Sequence, residues 1–234
     1  MAKAYGRVLI KLSGEALAGG AGFGIDNAVL NRVASELCSV VANGTEVAVV
    51  IGAGNFWRGR QGTEMNRATA DHMGMLATAL NALALQDALD RLGAPSVVQT
   101  ALTISSVATP FNLRVAKEAL ENKKIVIFAC GTGSPYFTTD TGASLRAAEI
   151  EAEALLLAKN IDGIYDSDPK QNPNAKKYDK ISFREVIDQN LKAMDLSATA
   201  MCMENGIKVV AFGLSQENAI VKAAAGETIG TLIY

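Results

Sequence analysis

Three short segments carry residue types suited to gripping phosphate, and a fourth is rich in carboxylates. Lys11-Leu12-Ser13-Gly14 sets a cation and a hydroxyl before a glycine. Gly52-Ala53-Gly54-Asn55-Phe56-Trp57-Arg58 joins two glycines to a guanidinium whose planar fork suits phosphate oxygens. Gly131-Thr132-Gly133-Ser134-Pro135-Tyr136-Phe137-Thr138-Thr139-Asp140 combines a glycine turn, hydroxyls, aromatics of a kind that pack on a base or sugar, and an acid opening a helix. Asp162-Gly163-Ile164-Tyr165-Asp166-Ser167-Asp168-Pro169 is a carboxylate-rich turn. Glycine lets backbone N–H groups approach phosphate oxygens with no Cβ in the way, and lysine supplies a point charge. Each segment also has a plainer reading: Lys11 as a strand-end lysine with its head in water, Arg58 as a surface arginine, Asp140 as a helix N-cap, and 162–169 as an inert turn. Asp71 is either a favourable first-turn charge or an acceptor for ribose hydroxyls, and His72 reads as a structural or interface residue.

The phosphate chemistry is not that of a P-loop, because no GxxxxGK[ST] occurs. The stretch Gly19-Gly20-Ala21-Gly22-Phe23-Gly24 does not follow a strand directly and fails as a dinucleotide fingerprint. Three cysteines without CxxC spacing and a single histidine argue against a disulfide scaffold, a structural zinc site and multi-histidine metal centres. With 22 Lys+Arg against 24 Asp+Glu the net charge is −2, which disfavours binding to nucleic acid through overall charge. No targeting segment is visible at Met1–Arg7, and the apolar stretch from Met73 to Leu85 is too short to span a bilayer. A soluble, cytoplasmic protein with no membrane partner is the expectation.

The elements that must position these segments alternate. The chain has 234 residues, 49% of them hydrophobic, enough for a full core. Apolar strand-length runs at 8–12, 47–51, 96–99, 125–129, 154–158, 207–212 and 230–233 are separated by helical patterns at 26–42, 67–92, 113–122, 140–151, 182–190, 197–205 and 215–225. This predicts an α/β protein with three αβα layers around a mainly parallel central sheet. Ligands in such sheets sit outside the carboxyl ends of the strands, where the glycine segments fall. The dense turn chemistry of 160–181 predicts a long surface loop. It suggests approximate lobes 1–155 and 156–234.

In order along nearly the whole chain, Lys11-Leu12-Ser13-Gly14-Glu15, Gly54-Asn55-Phe56-Trp57-Arg58-Gly59, Asp71-His72-Met73-Gly74-Met75-Leu76-Ala77-Thr78, Gly131-Thr132-Gly133 through Thr138-Thr139-Asp140, Asp162-Gly163-Ile164-Tyr165 with Asp168-Pro169, and Met194-Asp195-Leu196 resemble the bacterial uridylate kinases of the amino acid kinase superfamily. The resemblance implies the amino acid kinase fold and transfer of a phosphoryl group from ATP to UMP with Mg²⁺. It implies Lys11, Leu12, Ser13, Gly14, Gly54 and Arg58 at the ATP phosphates, and Asn160, Tyr165 and Asp168 at the rest of ATP. Ala53, Asp71 and the run Thr132, Gly133, Ser134, Pro135, Tyr136, Phe137, Thr138, Thr139 would bind UMP. Lys11, Arg58, Asp140 and Asp195 would be the catalytic set. It further implies a homo-oligomer, a hexamer built as a trimer of dimers, with GTP as activator through Gly19, Gly20, Ala21, Gly22, Phe23 and Gly24, and UTP as inhibitor. Two positions depart from the family pattern: Ala53 replaces a glycine, and Lys159-Asn160 replaces a threonine-containing pair. The alternatives are a same-fold kinase for a carboxylate or carbamate, and a nucleotide-binding storage or sensor protein without turnover.

Overall fold

In the computed structural model, which describes residues 4–57 and 64–234, β1 (Arg7–Leu12) shows why the sheet needs covering twice. Val8, Ile10 and Leu12 point into one apolar cluster and Leu9 into another, and all are fully buried. Side chains of alternating direction that are all apolar demand helices on both faces. β1 pairs in parallel with β2 (Glu46–Ile51) on one side and β6 (Ala154–Lys159) on the other. Outward from β2 lie β5 (Ile125–Ala129), β3 (Ser96–Thr100) and the short β4 (Thr109–Pro110), all parallel. Outward from β6 lie β10 (Lys208–Gly213), the antiparallel β11 (Gly230–Ile233) and β9 (Lys180–Ile181). The nine strands form one sheet.

One face carries α1 (Gly14–Leu17), α2 (Asn27–Ala42), α3 (Arg67–Arg91) and α8 (Ala219–Ala224). The other carries α4 (Leu113–Glu121), α5 (Thr139–Glu149), α6 (Phe183–Asp188) and α7 (Leu196–Glu204). The three-layer α/β architecture with a mainly parallel sheet is therefore the one the alternation predicts. Asp26 caps α2 as expected, accepting from the Ala28 and Val29 N–H groups.

Two expectations need correction. The segment 160–181 is not a structureless loop: β7 (Ile164–Tyr165) and β8 (Lys177–Tyr178) pair antiparallel within it, and β9 joins the main sheet. Two-residue strands are too short to display a period. The helix expected over 215–225 begins only at Ala219, because Asn218 adopts a left-handed φ of 55° that a helix cannot continue through. The buried Glu36 carboxylate then accepts the Ile220 N–H at 2.8 Å, tying α8 to α2. Among the described residues no helix is long and apolar enough to cross a membrane.

Candidate active site

Parallel order places the ends of β1, β2, β5 and β6 along one edge, and the chemistry collects there. Lys11 Nζ lies 2.8 Å from Asp140 Oδ1, with both side chains largely buried. Asp140 sits in the first turn of α5 and is not its cap. Thr138 is, accepting from the Asp140 and Thr141 N–H groups. Lys159, ending β6, joins this pair. Its Nζ donates to the Lys192 carbonyl at 3.2 Å and the Ala193 carbonyl at 2.5 Å. Burial pushes its ammonium below the usual lysine value, Asp140 works against that, and Lys11 adds to the depression. Asp140 thus pairs with Lys11, and its charge also acts on Lys159.

The glycine turns are packed against each other. A Cβ on Gly14 would lie 2.4 Å from the Gly52 carbonyl, 2.6 Å from Asn55 Oδ1 and 2.7 Å from the Gly54 N–H. Only glycine fits there. The Ala53 carbonyl accepts the Phe56 and Trp57 N–H groups, both at 2.9 Å, which closes the turn through backbone groups that an alanine methyl leaves free.

Beside these turns opens a cleft of about 230 Å³, lined by Ala53, Gly54, Trp57, Arg67, Ala70, Asp71, Gly74, Met75, Thr78, Gly131, Thr132, Ser134, Phe137, Thr138 and Thr139. Arg67 Nε donates to both Asp71 oxygens, at 2.9 and 2.8 Å, and the Tyr136 N–H donates to Asp71 Oδ2 at 2.8 Å. Burial by itself would raise the Asp71 carboxyl, but the Tyr136 N–H and Arg67 outweigh it and hold the group below the usual aspartate value. Tyr136 has a φ of 74°, a conformation that costs a bulky residue about 1–3 kcal/mol. Asp71 and the Arg67 guanidinium, 5.5 Å from the Tyr136 ring centre, hold it there.

Most of the expected substrate-side residues thus meet around one cleft. Gly133, Pro135 and Tyr136 lie on the same loop without lining it. Asp195 is the N-cap of α7: Oδ1 accepts the Ala198 N–H at 2.8 Å, and Oδ2 accepts the hydroxyls of Thr141 at 2.9 Å and Thr138. Its oxygens hold the start of α5. Asn160, Tyr165 and Asp168 stand apart from the cleft, around the β7–β8 hairpin. The Tyr165 hydroxyl donates to Asp162 at 2.7 Å, and Asp168 caps an exposed turn by accepting the Lys170 N–H at 2.9 Å. Gly19–Ala21 forms a 3-10 turn, and the Phe23 ring meets Phe56 edge-on at 5.8 Å. Arg58 lies outside the described residues.

Sequence reasoning gave no site role to Lys159, Arg67 or Trp57. Lys159 carried a usable signal, since it ends an apolar strand as Lys11 nearly does. Arg67 carried none beyond its i, i+4 spacing to Asp71.

Residues 6–212 match the amino acid kinase family. The chain resembles the solved UMP kinase of Bacillus anthracis at 38% identity, with 98% of this chain and 96% of that one covered and a TM-score of 0.95. It resembles the UMP kinase of Ureaplasma parvum at 40% identity over 100% and 99% of the two chains, with a TM-score of 0.93. Similarity extends to a uridylate kinase of Archaeoglobus fulgidus at 28% identity, covering 97% and 99%, with a TM-score of 0.74. With the family match spanning most of its length and a lysine–aspartate pair set among glycine turns at the sheet edge, the chain belongs to the amino acid kinase family.

Proposed function

We propose that this chain transfers the γ-phosphoryl group of ATP to UMP, giving UDP and ADP. The observation that carries the reading is the Lys11–Asp140 pair beside the cleft, in a chain 38–40% identical to two UMP kinases along nearly their whole length. A phosphate oxygen of UMP attacks the γ-phosphorus as its bond to the bridging oxygen of ADP breaks. That oxygen is already a nucleophile at neutral pH, so no general base is required, and the protein positions and neutralises.

Lys11 stabilises the moving group, with Asp140 orienting it. Leu12, Ser13, Gly14 and Gly54 present backbone to the ATP phosphates, and Arg58 supplies a second cation. Asp195 acts by holding Thr138 and Thr141. Asp71 takes the ribose of UMP, Ala53 and the run Thr132–Thr139 surround the rest of that nucleotide, and Asn160, Tyr165 and Asp168 hold the adenine nucleotide. The lobe 1–155 then serves UMP and the phosphates of both nucleotides, and 156–234 the rest of ATP. Among the described residues no group of three potential ligands could hold a metal ion. Mg²⁺ would arrive on the nucleotide phosphates, with Asp140 the carboxylate at hand. There it would neutralise charge on the phosphates.

An ADP-release assay over UMP, CMP, AMP and small carboxylates or carbamate tests the reading. UMP is expected to lead every alternative by about 10²-fold or more in kcat/KM, because groups paired with the uracil edge are left unpaired by the wrong base. Comparable values for CMP and UMP would overturn it, and turnover of a carboxylate or carbamate would favour the same-fold alternative.

The protein is further proposed to be at least a dimer. Met73, Leu76 and Leu80 follow helical spacing on α3 and stand 37%, 50% and 53% exposed, while Met75, Ala79, Ala82 and Leu85 on its other side are core. A symmetric helix pair covers such a stripe. Light scattering at micromolar concentration is expected to give at least twice 24.5 kDa, and a monomer mass would refute the pairing.

A further inference from the structure

Two buried asparagines bind the phosphate turn to distant parts of the chain. Asn55 and Asn81 are 1% and 0% exposed, and neither lines the cleft. Each donates one amide N–H to the other's Oδ1, both at 2.8 Å. The remaining N–H of Asn55 goes to the Gly24 carbonyl and that of Asn81 to the Gly52 carbonyl, again both at 2.8 Å. All four amide protons are used, and turning either amide over would set its oxygen against a carbonyl. The Asn55 backbone carbonyl also accepts the Gly24 N–H at 3.0 Å, so both backbone polar groups of Gly24 end on one residue. Buried polar networks hold position only when fully satisfied, as this one is.

The pair therefore joins α3 through Asn81, the glycine turn 52–54, and the end of the Gly19–Gly24 segment. The turn it holds is the one packed at 2.4 Å from where a Gly14 Cβ would lie. Four hydrogen bonds of 2.8 Å link these points.

We propose that Asn55 and Asn81 are positioning residues acting as one unit. They set the Gly52–Gly54 turn against Gly14 and carry displacements of segment 19–24 and of α3 to that turn. The proposal rests on the phosphoryl-transfer reading of the site and adds to it the means by which its backbone donors are kept in register. A misplacement of about 1 Å costs on the order of 10²-fold in rate, so loosening the turn acts on turnover even though neither amide faces the cleft.

The test uses Asn55→Ala, Asn81→Ala, the double variant, and Asn81→Asp, which keeps the volume and the acceptor but loses the donors to Gly52 and Asn55. Trp57 is the sole tryptophan and lines the cleft, so its fluorescence reports UMP binding directly. Each single variant is expected to lose about 10–10²-fold in kcat. Its UMP dissociation constant should change less than kcat, since only Ala53, Gly54 and Trp57 of the cleft lining lie on the loosened segment and the other lining residues keep their places. The double variant is expected to lose no more than about threefold beyond the worse single, the behaviour of two members of one unit. Hydrogen exchange should rise together in 19–26 and 52–57 in Asn81→Ala and Asn81→Asp, although Asn81 touches only the second segment.

Unchanged kcat, additive losses, or exchange that rises in 52–57 alone would overturn the proposal. If the parent protein fails to phosphorylate UMP while the two segments still exchange together, the substrate reading falls and the coupling stands.

Discussion

Lys11→Ala is expected to lower kcat by about 10²–10³-fold, the loss seen when one preorganised transition-state donor is removed. The effect should fall on turnover more than on affinity, because the charge Lys11 meets is spread over the oxygens of the group in flight. The fold is expected to survive. Lys11 spends its length reaching Asp140 at the strand end, and the core contacts of β1 come from Val8, Leu9, Ile10 and Leu12. Asp140 also keeps the charge of Lys159 nearby. Steady-state kinetics with a thermal melt on the same sample decide the matter. Near-normal turnover would reduce Lys11 to a strand-end lysine, and a collapse in Tm parallel to the loss of rate would assign it to stability.

Gly14→Ala is expected to be comparably severe by a different route. The added methyl would lie 2.4 Å from the Gly52 carbonyl and 2.7 Å from the Gly54 N–H, so the turns at Gly14 and at Gly52–Gly54 must move apart. These atoms are backbone, not the far end of a flexible side chain, and cannot rotate away. Overpacking of this kind costs about 1–3 kcal/mol in stability. The displacement of donors by about 1 Å costs on the order of 10²-fold in kcat. Kinetics and denaturant unfolding together check both parts. A variant with parental kcat and parental stability would show that the turns tolerate separation and do not present the phosphate donors.

The two variants also separate charge from geometry. Lys11→Ala removes a cation and leaves the backbone in place, whereas Gly14→Ala keeps every charge and shifts the backbone. If positioning and neutralisation share the work, both are slow. If only one is slow, the mechanism leans on the corresponding term.

Much of this protein was legible from local pattern. A continuous apolar run such as Val47–Ile51 can be a strand only if both of its faces are covered, so the layered α/β architecture follows from the run itself. Strand–helix alternation then forces parallel pairing and collects the strand ends on one edge, which is why Lys11 and the glycine turns could be read as neighbours before any coordinates. The cap at Asp26 was equally local, a carboxylate reaching N–H groups two and three residues on.

What sequence could not supply are partners remote along the chain. Asp71 meets the Tyr136 N–H across 65 positions and Asn55 meets Asn81 across 26, and no period in composition marks either pair. Lys159 feels the charge of Asp140 because β6 is the neighbour of β1, a choice made by sheet order and not by either strand's own pattern. The resemblance implied Asp195 for the catalytic set, and at the start of α7 its oxygens accept from the Thr138 and Thr141 hydroxyls, partners that no local pattern marks. Local pattern was enough for the main strands and helices, the sheet edge where the glycine turns fall and the residue types there, because these depend on periodicity and turn chemistry within a few residues. Only the tertiary structure decided which of those side chains face one another, because that depends on strand order and helix packing, which bring remote residues within hydrogen-bond reach.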